Sequence, residues 1–152
     1  MDKIYPITAA GLASFKEEKI QLLEKRKSAV VNLRTAREMG DLSENAAYKV
    51  ARQELSGIDS RLRYLEKIIR LSRIVESNSK DQIGIGNRVK LNGETGDMEY
   101  TIVGGFESDP ARAKISHISP IGKALIGKKQ GDEIKVNTPL GVKSYRVSAI
   151  LE

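Results

Sequence analysis

Two carboxylates three residues apart, Asp41 and Glu44, stand in the run Gly40-Asp41-Leu42-Ser43-Glu44-Asn45. Hard oxygen ligands of this kind suit Mg²⁺, and together they can orient a water for attack. Two are too few to hold the ion tightly, because Mg²⁺ keeps waters or takes ligands from a second molecule. Any chemistry at this pair therefore completes a site that belongs to a partner. A purely structural reading competes. Asp-x-x-Glu is also a capping-box spacing, with Asp41 accepting from the amide of Glu44 and Glu44 reaching back. Pattern alone favours the capping reading. Arg34, Arg37, Lys49 and Arg52 bracket the pair. As a group they can guide a phosphate backbone towards the carboxylates, while each by itself fits a solvated helix face. Tyr48 is the aromatic among them, so a base-stacking platform is not indicated.

Other motifs carry less. Gly122-Lys123-Ala124-Leu125-Ile126-Gly127-Lys128-Lys129 comes within one residue of a phosphate-binding loop. Its last position should be a Mg²⁺-ligating hydroxyl and is Lys129, and Ala124-Leu125-Ile126 read as packed helix. A nucleotide site is rejected there. Gly84-x-Gly86 lacks a third glycine and reads as a strand entry. His117, the only histidine, reads as a structural residue of a strand.

The elements that must carry the acidic pair are legible. From Leu12 to Val75 there is no proline, and Gly40 and Gly57 are the only glycines. Tyr48, Ala51, Leu55, Ile58, Leu62, Leu65 and Ile69 follow alternating steps of three and four, which is one seam of a coiled-coil helix. Upstream, Leu12, Phe15, Leu22, Ala29, Leu33 and Ala36 keep a similar register, interrupted by Lys19 and Arg26. Long basic side chains can lay their methylenes along such a seam. Gly40 suits the stop of the first helix and Asp41 the start of the second. Two helices of about 30 residues joined tightly make an antiparallel hairpin about 45 Å long.

Beyond the polar stretch 77–82, read as a linker, the punctuation changes. Ten glycines and three prolines separate short β-branched runs between Gly84 and Glu152. Strands are expected at 88–91, 100–103, 113–118, 133–136 and 144–150, with turns at Asn92-Gly93 and Leu140-Gly141. Ser119 and Pro120 open a short helix that runs to Ile126. The class is α+β: a helical hairpin over 1–76 and an antiparallel sheet domain with one short helix over 83–152.

Composition narrows the function. The 152 residues hold 26 Lys and Arg against 20 Asp and Glu, for a net charge of +6, with no Cys and no Trp. Without cysteine there is no disulfide framework, no thiolate nucleophile and no Cys-ligated zinc. One histidine excludes multi-histidine metal sites. No run of about 18 apolar residues spans a membrane, and the first residues lack a signal-peptide layout, so a soluble cytoplasmic protein is expected. The charge splits as +4 before residue 78 and +2 after it, so neither half is a polybasic arm and direct duplex-DNA binding is weakly supported.

The run Gly40-Asp41-Leu42-Ser43-Glu44-Asn45-Ala46, followed by Tyr48 and Arg52, resembles the tip of the Gre family of bacterial transcript cleavage and elongation factors. The likeness continues in Ser119-Pro120-Ile121, in Ala124 to Lys128 and in Asn137-Thr138-Pro139-Leu140-Gly141, and covers essentially the whole chain. It implies an N-terminal coiled coil and a C-terminal domain similar in fold to FK506-binding proteins. In that family the second domain docks on a rim of RNA polymerase and the coiled coil enters the secondary channel. By this resemblance Asp41 and Glu44 act in trans, helping to bind a second, loosely held Mg²⁺ and to position the attacking water. The polymerase's own centre then hydrolyses the RNA 3′ end of a backtracked complex. Arg37 and Arg52 match positions that contact the extruded RNA, and Ser119 and Pro120 match the docking loop. The resemblance implies a monomer, not itself an enzyme, with no cofactor beyond the Mg²⁺ held jointly with the polymerase. The basic cluster is small, which implies limited engagement of long extruded RNA. Two other readings compete: a channel-plugging inhibitor of the same architecture, against which both acidic residues speak, and a proline isomerase, against which the scarcity of aromatics speaks.

Overall fold

The computed structural model describes residues 3–40, 45–77 and 79–151. Its elements are β1 (Tyr5–Ile7), α1 (Ala9–Arg37), α2 (Ala46–Leu71), β2 (Ser72–Ile74), β3 (Arg88–Gly93), β4 (Gly96–Val103), β5 (Lys114–Ser116), α3 (Pro120–Leu125), β6 (Glu133–Thr138) and β7 (Gly141–Leu151). The chain forms two compact units, one of Ala13–Leu71 and one of Met1–Leu12 with Ser72–Glu152.

The helical unit is an antiparallel pair held by the expected seam. Ala29, Ile58 and Leu62 are buried together, with Leu22 and Leu55 packed against them. Leu65 is fully buried, and so is Ile68, whereas Ile69 keeps partial exposure. The seam thus closes on Ile68, one residue earlier than its strict three-four spacing sets it. Burying each large aliphatic contributes about 2 kcal/mol. The two interruptions of α1 are ion pairs across the seam: Arg26 Nε lies 2.6 Å from Asp59 Oδ1, and Lys19 Nζ 3.8 Å from Glu66 Oε1. A third interhelical pair joins Arg61 Nε to Glu18 Oε2 at 2.6 Å. The hydrogen bond from Arg26 holds the Asp59 carboxyl below the usual range, and that from Arg61 does the same for Glu18 against a smaller opposing effect of burial.

The second unit contains a five-stranded sheet of order β5-β4-β3-β7-β6. All neighbours are antiparallel except β5, which runs parallel to β4, so the expected antiparallel sheet carries one parallel edge. Two 3₁₀ turns, Gly105–Glu107 and Pro110–Arg112, make the connection that lets β5 return in the same direction. Val89, Leu91, Ile102, Ile134, Val136, Val147 and Ile150 turn inward onto Leu125 of α3, at the alternation a one-sided sheet requires except in β7, where a register shift opposite Lys90 and Leu91 sets Val147 and Ile150 three residues apart. The β3–β4 turn is Glu94-Thr95 between the paired Gly93 and Gly96, not Asn92-Gly93, which lies in the strand. Gly96 has φ +125°, a conformation for which glycine is the fitting residue.

A second, two-stranded sheet pairs β1 with β2 in parallel, Tyr5 opposite Ser72. It brings residues 1–12 and 72–76, which sequence punctuation places with the helices, into the sheet-bearing unit. Glu107 ties this region together. Its carboxylate accepts from Thr8 N at 3.0 Å, from Gly104 N at 2.9 Å and from the Thr8 hydroxyl. The stretch read as a linker is also pinned to this unit: fully buried Asn87 donates to Ser79 O at 3.0 Å and to Leu151 O at 3.1 Å, and accepts from Gly84 N at 2.8 Å.

Candidate functional site at the hairpin tip

The closed end of the hairpin is built by the last turn of α1 and the first of α2. Beyond α1, Gly40 adopts φ +129°, so a side chain at this position would be strained even though the space around it is open. Asp41, Leu42, Ser43 and Glu44 lie outside the described residues, and with them the two predicted carboxylates. The residue that caps α2 is Asn45. Its Oδ1 accepts from Tyr48 N at 3.0 Å, an N-cap bond to the third helical residue, and its Nδ2 donates to Ala36 O of α1 at 2.7 Å. The expectation that α2 starts at Asp41 is therefore corrected: it starts at Ala46, and one amide side chain both caps it and clips it to the preceding helix. The sequence signal was the Asn directly before an Ala-Ala helix start, eclipsed by the Asp-x-x-Glu pattern.

Arg37 and Arg52 are exposed, as are Arg34 and Lys49. Arg34 and Arg37 occupy the last turn of α1, where cations complement the helix dipole. The four share one flank of the hairpin, the flank on which Arg26 meets Asp59. The opposite flank carries an open apolar recess of about 430 Å³, lined among others by Asn32, Thr35, Met39, Ala47, Val50 and Glu54. Met39 and Val50 are 69% and 64% exposed there. Sequence reasoning missed this recess because neither residue belongs to the seam pattern.

The second predicted surface lies on the sheet-bearing unit. Ser119 caps α3, accepting from Gly122 N at 3.1 Å while donating to Ser116 O at 2.7 Å. Its hydroxyl is thus committed to shaping the loop. Pro120 is exposed at the first helical position, beside Ile118 at 59% exposure. Leu125, in the near-miss phosphate loop, is fully buried, as a packed helix requires. His117 follows β5 rather than lying in it, and its Nδ1 is buried without a hydrogen-bond partner among the described residues. Among the described residues no group of three His, Cys, Asp or Glu could hold a metal ion, and no helix is long and apolar enough to cross a membrane.

Two antiparallel helices whose connecting sequence carries an acidic pair, in a chain that also forms a five-stranded sheet unit, define a class, and comparison with known proteins specifies it. Residues 5–74 match the family described as "Transcription elongation factor, N-terminal", and residues 78–152 match "Transcription elongation factor, GreA/GreB, C-term". The protein called transcription elongation factor GreA in Lactococcus lactis is 40% identical over 152 residues, covering 97% of each chain. That of Bacillus subtilis is 40% identical over 155 residues, covering 97% of this chain and 98% of its own. Among solved structures, the GreA factor homolog 1 (Gfh1) protein of Thermus thermophilus is 29% identical, covering 99% of this chain and 100% of its own, with a TM-score of 0.46. The chain belongs to the GreA/GreB family of transcription elongation factors.

Proposed function

We propose that this chain binds bacterial RNA polymerase, passes its hairpin into the secondary channel, and activates the polymerase's own Mg²⁺-dependent cleavage of backtracked RNA. The observation that carries the reading is the capping of α2 by Asn45. With Asn45 at the N-cap and α2 starting at Ala46, Asp41 and Glu44 precede the helix in sequence, and their competing role as its capping box loses its main support. Two carboxylates held in the connection between two stiff helices suit delivery into a partner's site. α2 alone, at 26 residues, is about 39 Å long.

The donor set fits Mg²⁺: Asp41 and Glu44 offer hard oxygens, and the polymerase must supply the remaining ligands. The ion, when bound, stabilises the attacking and leaving oxygens of the phosphodiester. Asp41 and Glu44 would add ligands to it and orient the attacking water. Arg37 and Arg52, both exposed, would neutralise the phosphates of the RNA 3′ end. The chain is thus an activator acting in trans and no enzyme by itself, working as a monomer. Pro120 and the loop shaped by Ser119 would dock on the channel rim.

The test is RNA cleavage in stalled, backtracked polymerase complexes with Asp41→Asn and Glu44→Gln. Each variant should lower the rate at least about tenfold, the low end of what loss of even an outer partner of a metal ligand costs, with polymerase binding intact. Wild-type rates in both variants would remove the carboxylates from the chemistry. Binding by the unaltered chain that slows transcription without cleavage would identify a channel-blocking inhibitor instead.

A further inference from the structure

The sulfur chemistry of this chain rests entirely on thioethers. There is no Cys, and Met1, Met39 and Met98 are the only sulfur-bearing side chains. Met1 lies outside the described residues, and the other two differ sharply. Met98, half-buried in β4, accepts a hydrogen bond on its sulfur from the Tyr100 hydroxyl at 3.3 Å. Met39 is 69% exposed, and its sulfur has no hydrogen-bond partner among the described residues.

Met39 also stands where a change of polarity has consequences. It follows α1 in a turn, its amide donating to Ala36 O at 3.2 Å. With Val50 it lines the apolar recess of about 430 Å³, which takes in Ala36 from α1 and Ala46 and Ala47 from α2. Ala36 is buried, and its carbonyl also receives the Asn45 Nδ2 bond at 2.7 Å. The recess is therefore the joint between the helix ends. Met39 and Asn45 flank in sequence the run that holds Asp41 and Glu44.

We propose that Met39 is an oxidation site for peroxides, and that its sulfoxide loosens this joint and so slows cleavage; the effect on cleavage rests on the functional reading above. In the step, a sulfur lone pair attacks one oxygen of hydrogen peroxide and the O–O bond breaks. Sulfur keeps that oxygen, and the other leaves with both protons as water. Sulfur is oxidised by two electrons and the peroxide is reduced by two. The sulfoxide turns a flexible apolar side chain into a polar one. It favours water over the recess, and it offers Asn45 Nδ2 an acceptor other than Ala36 O. The step is reversible: a methionine sulfoxide reductase removes the oxygen as water while two thiols become a disulfide.

The test treats the full chain with hydrogen peroxide and then removes the oxidant. Sulfoxide formation is followed by peptide mass mapping, the helical signal by far-UV melting, and cleavage in backtracked polymerase complexes. Met39 should oxidise at least about fivefold faster than Met98, since susceptibility follows exposure. The treated chain should melt about 3 °C lower and cleave about threefold more slowly, as a loosened positioning element does. The reductase with dithiothreitol should restore both. Met39→Leu, a volume-conserving change, should keep its untreated values after peroxide, while Met98→Leu should respond as wild type does. Met39→Gln should sit near the treated level without any peroxide. Oxidation of Met98 as fast as Met39 overturns the site, and so does an equal loss in treated Met39→Leu. Full Met39 sulfoxide with unchanged cleavage, in a chain that cleaves, overturns the effect and leaves the functional reading standing. A chain that cleaves no RNA, treated or not, fells the functional reading; a melting shift that requires Met39 then still upholds the site and the loosened joint, and its absence overturns them.

Discussion

Replacing Asn45 by Ala tests whether it, rather than the acidic pair Asp41 and Glu44, holds the start of α2. The substitution removes two bonds, the cap on Tyr48 N at 3.0 Å and the clip to Ala36 O at 2.7 Å. Loss of an N-cap costs about 1 kcal/mol, and loss of a partly buried hydrogen bond about 1 kcal/mol more. The helical unit should therefore weaken by about 2 kcal/mol. For a unit of this size unfolding by itself, that lowers the melting temperature by about 10 °C. Asn45→Asp keeps the cap acceptor and loses the donor, so it should cost about half as much. The assay is thermal unfolding followed by far-UV dichroism, which isolates the helical signal from the sheet-bearing unit. Asp41→Asn and Glu44→Gln should melt within about 2 °C of wild type, since neither removes the observed cap. If either carboxylate variant lost as much stability as Asn45→Ala, the acidic pair would be holding the tip together, and assigning capping to Asn45 alone would be wrong.

The remaining expectations concern the shaft. Leu62→Asp places an unpaired charge at a position only 7% exposed in the seam and should cost about 4 kcal/mol, enough to splay the hairpin; an unchanged helical signal and melting temperature would refute the seam. Asp59 and Glu18 have folded pKa values lowered by hydrogen bonds from Arg26 and Arg61. Their contribution is therefore complete above the unfolded carboxyl values of about 4 and is lost as pH falls through the lowered folded values. Melting scans from neutral pH to about pH 3 should show that loss, and Asp59→Asn should flatten it; an equally steep fall in that variant would assign the acid sensitivity elsewhere.

What the sequence made legible was what local periodicity encodes. The seam from Ala51 to Leu65, the stop near Gly40 and the Ser119-Pro120 start of α3 each rest on neighbours within a turn or two. Non-local pairing was not legible. β1 and β2 are three residues each, Tyr5–Ile7 and Ser72–Ile74, and neither run has the length to alternate visibly. β2 also continues the apolar content of α2, so nothing in the chain marks the change of conformation at Ser72. The parallel course of β5 depends on the 3₁₀ turns before it, where Ala113 takes φ +57°, unusual for a residue with a side chain. At the tip, two N-cap candidates stood four residues apart. The chosen one, Asn45, was settled by a tertiary bond to Ala36 O that no local pattern contains.

Lys19 and Arg26 explain why so uniform a seam has one register. An apolar seam slides by heptads at little cost, because each step restores aliphatic against aliphatic, and a polar residue in the seam is the usual device against it. Here Lys19 faces Glu66 and Arg26 faces Asp59. A heptad slip in one direction would keep Arg26 against Glu66 but carry Lys19 past the end of α2 at Leu71. The other would keep Lys19 against Asp59 but set Arg26 against Arg52. Each alternative loses one attraction, and the second gains a repulsion between cations. The selected partners are numbered symmetrically about the midpoint between residues 42 and 43, which lies in sequence between Asp41 and Glu44. The ion pairs of the shaft, whatever little they add to stability at such exposure, thus decide which residues form the connection between the helices. In the slipped registers the centre would move to 39 or 46, away from the segment that holds Asp41 and Glu44 in sequence.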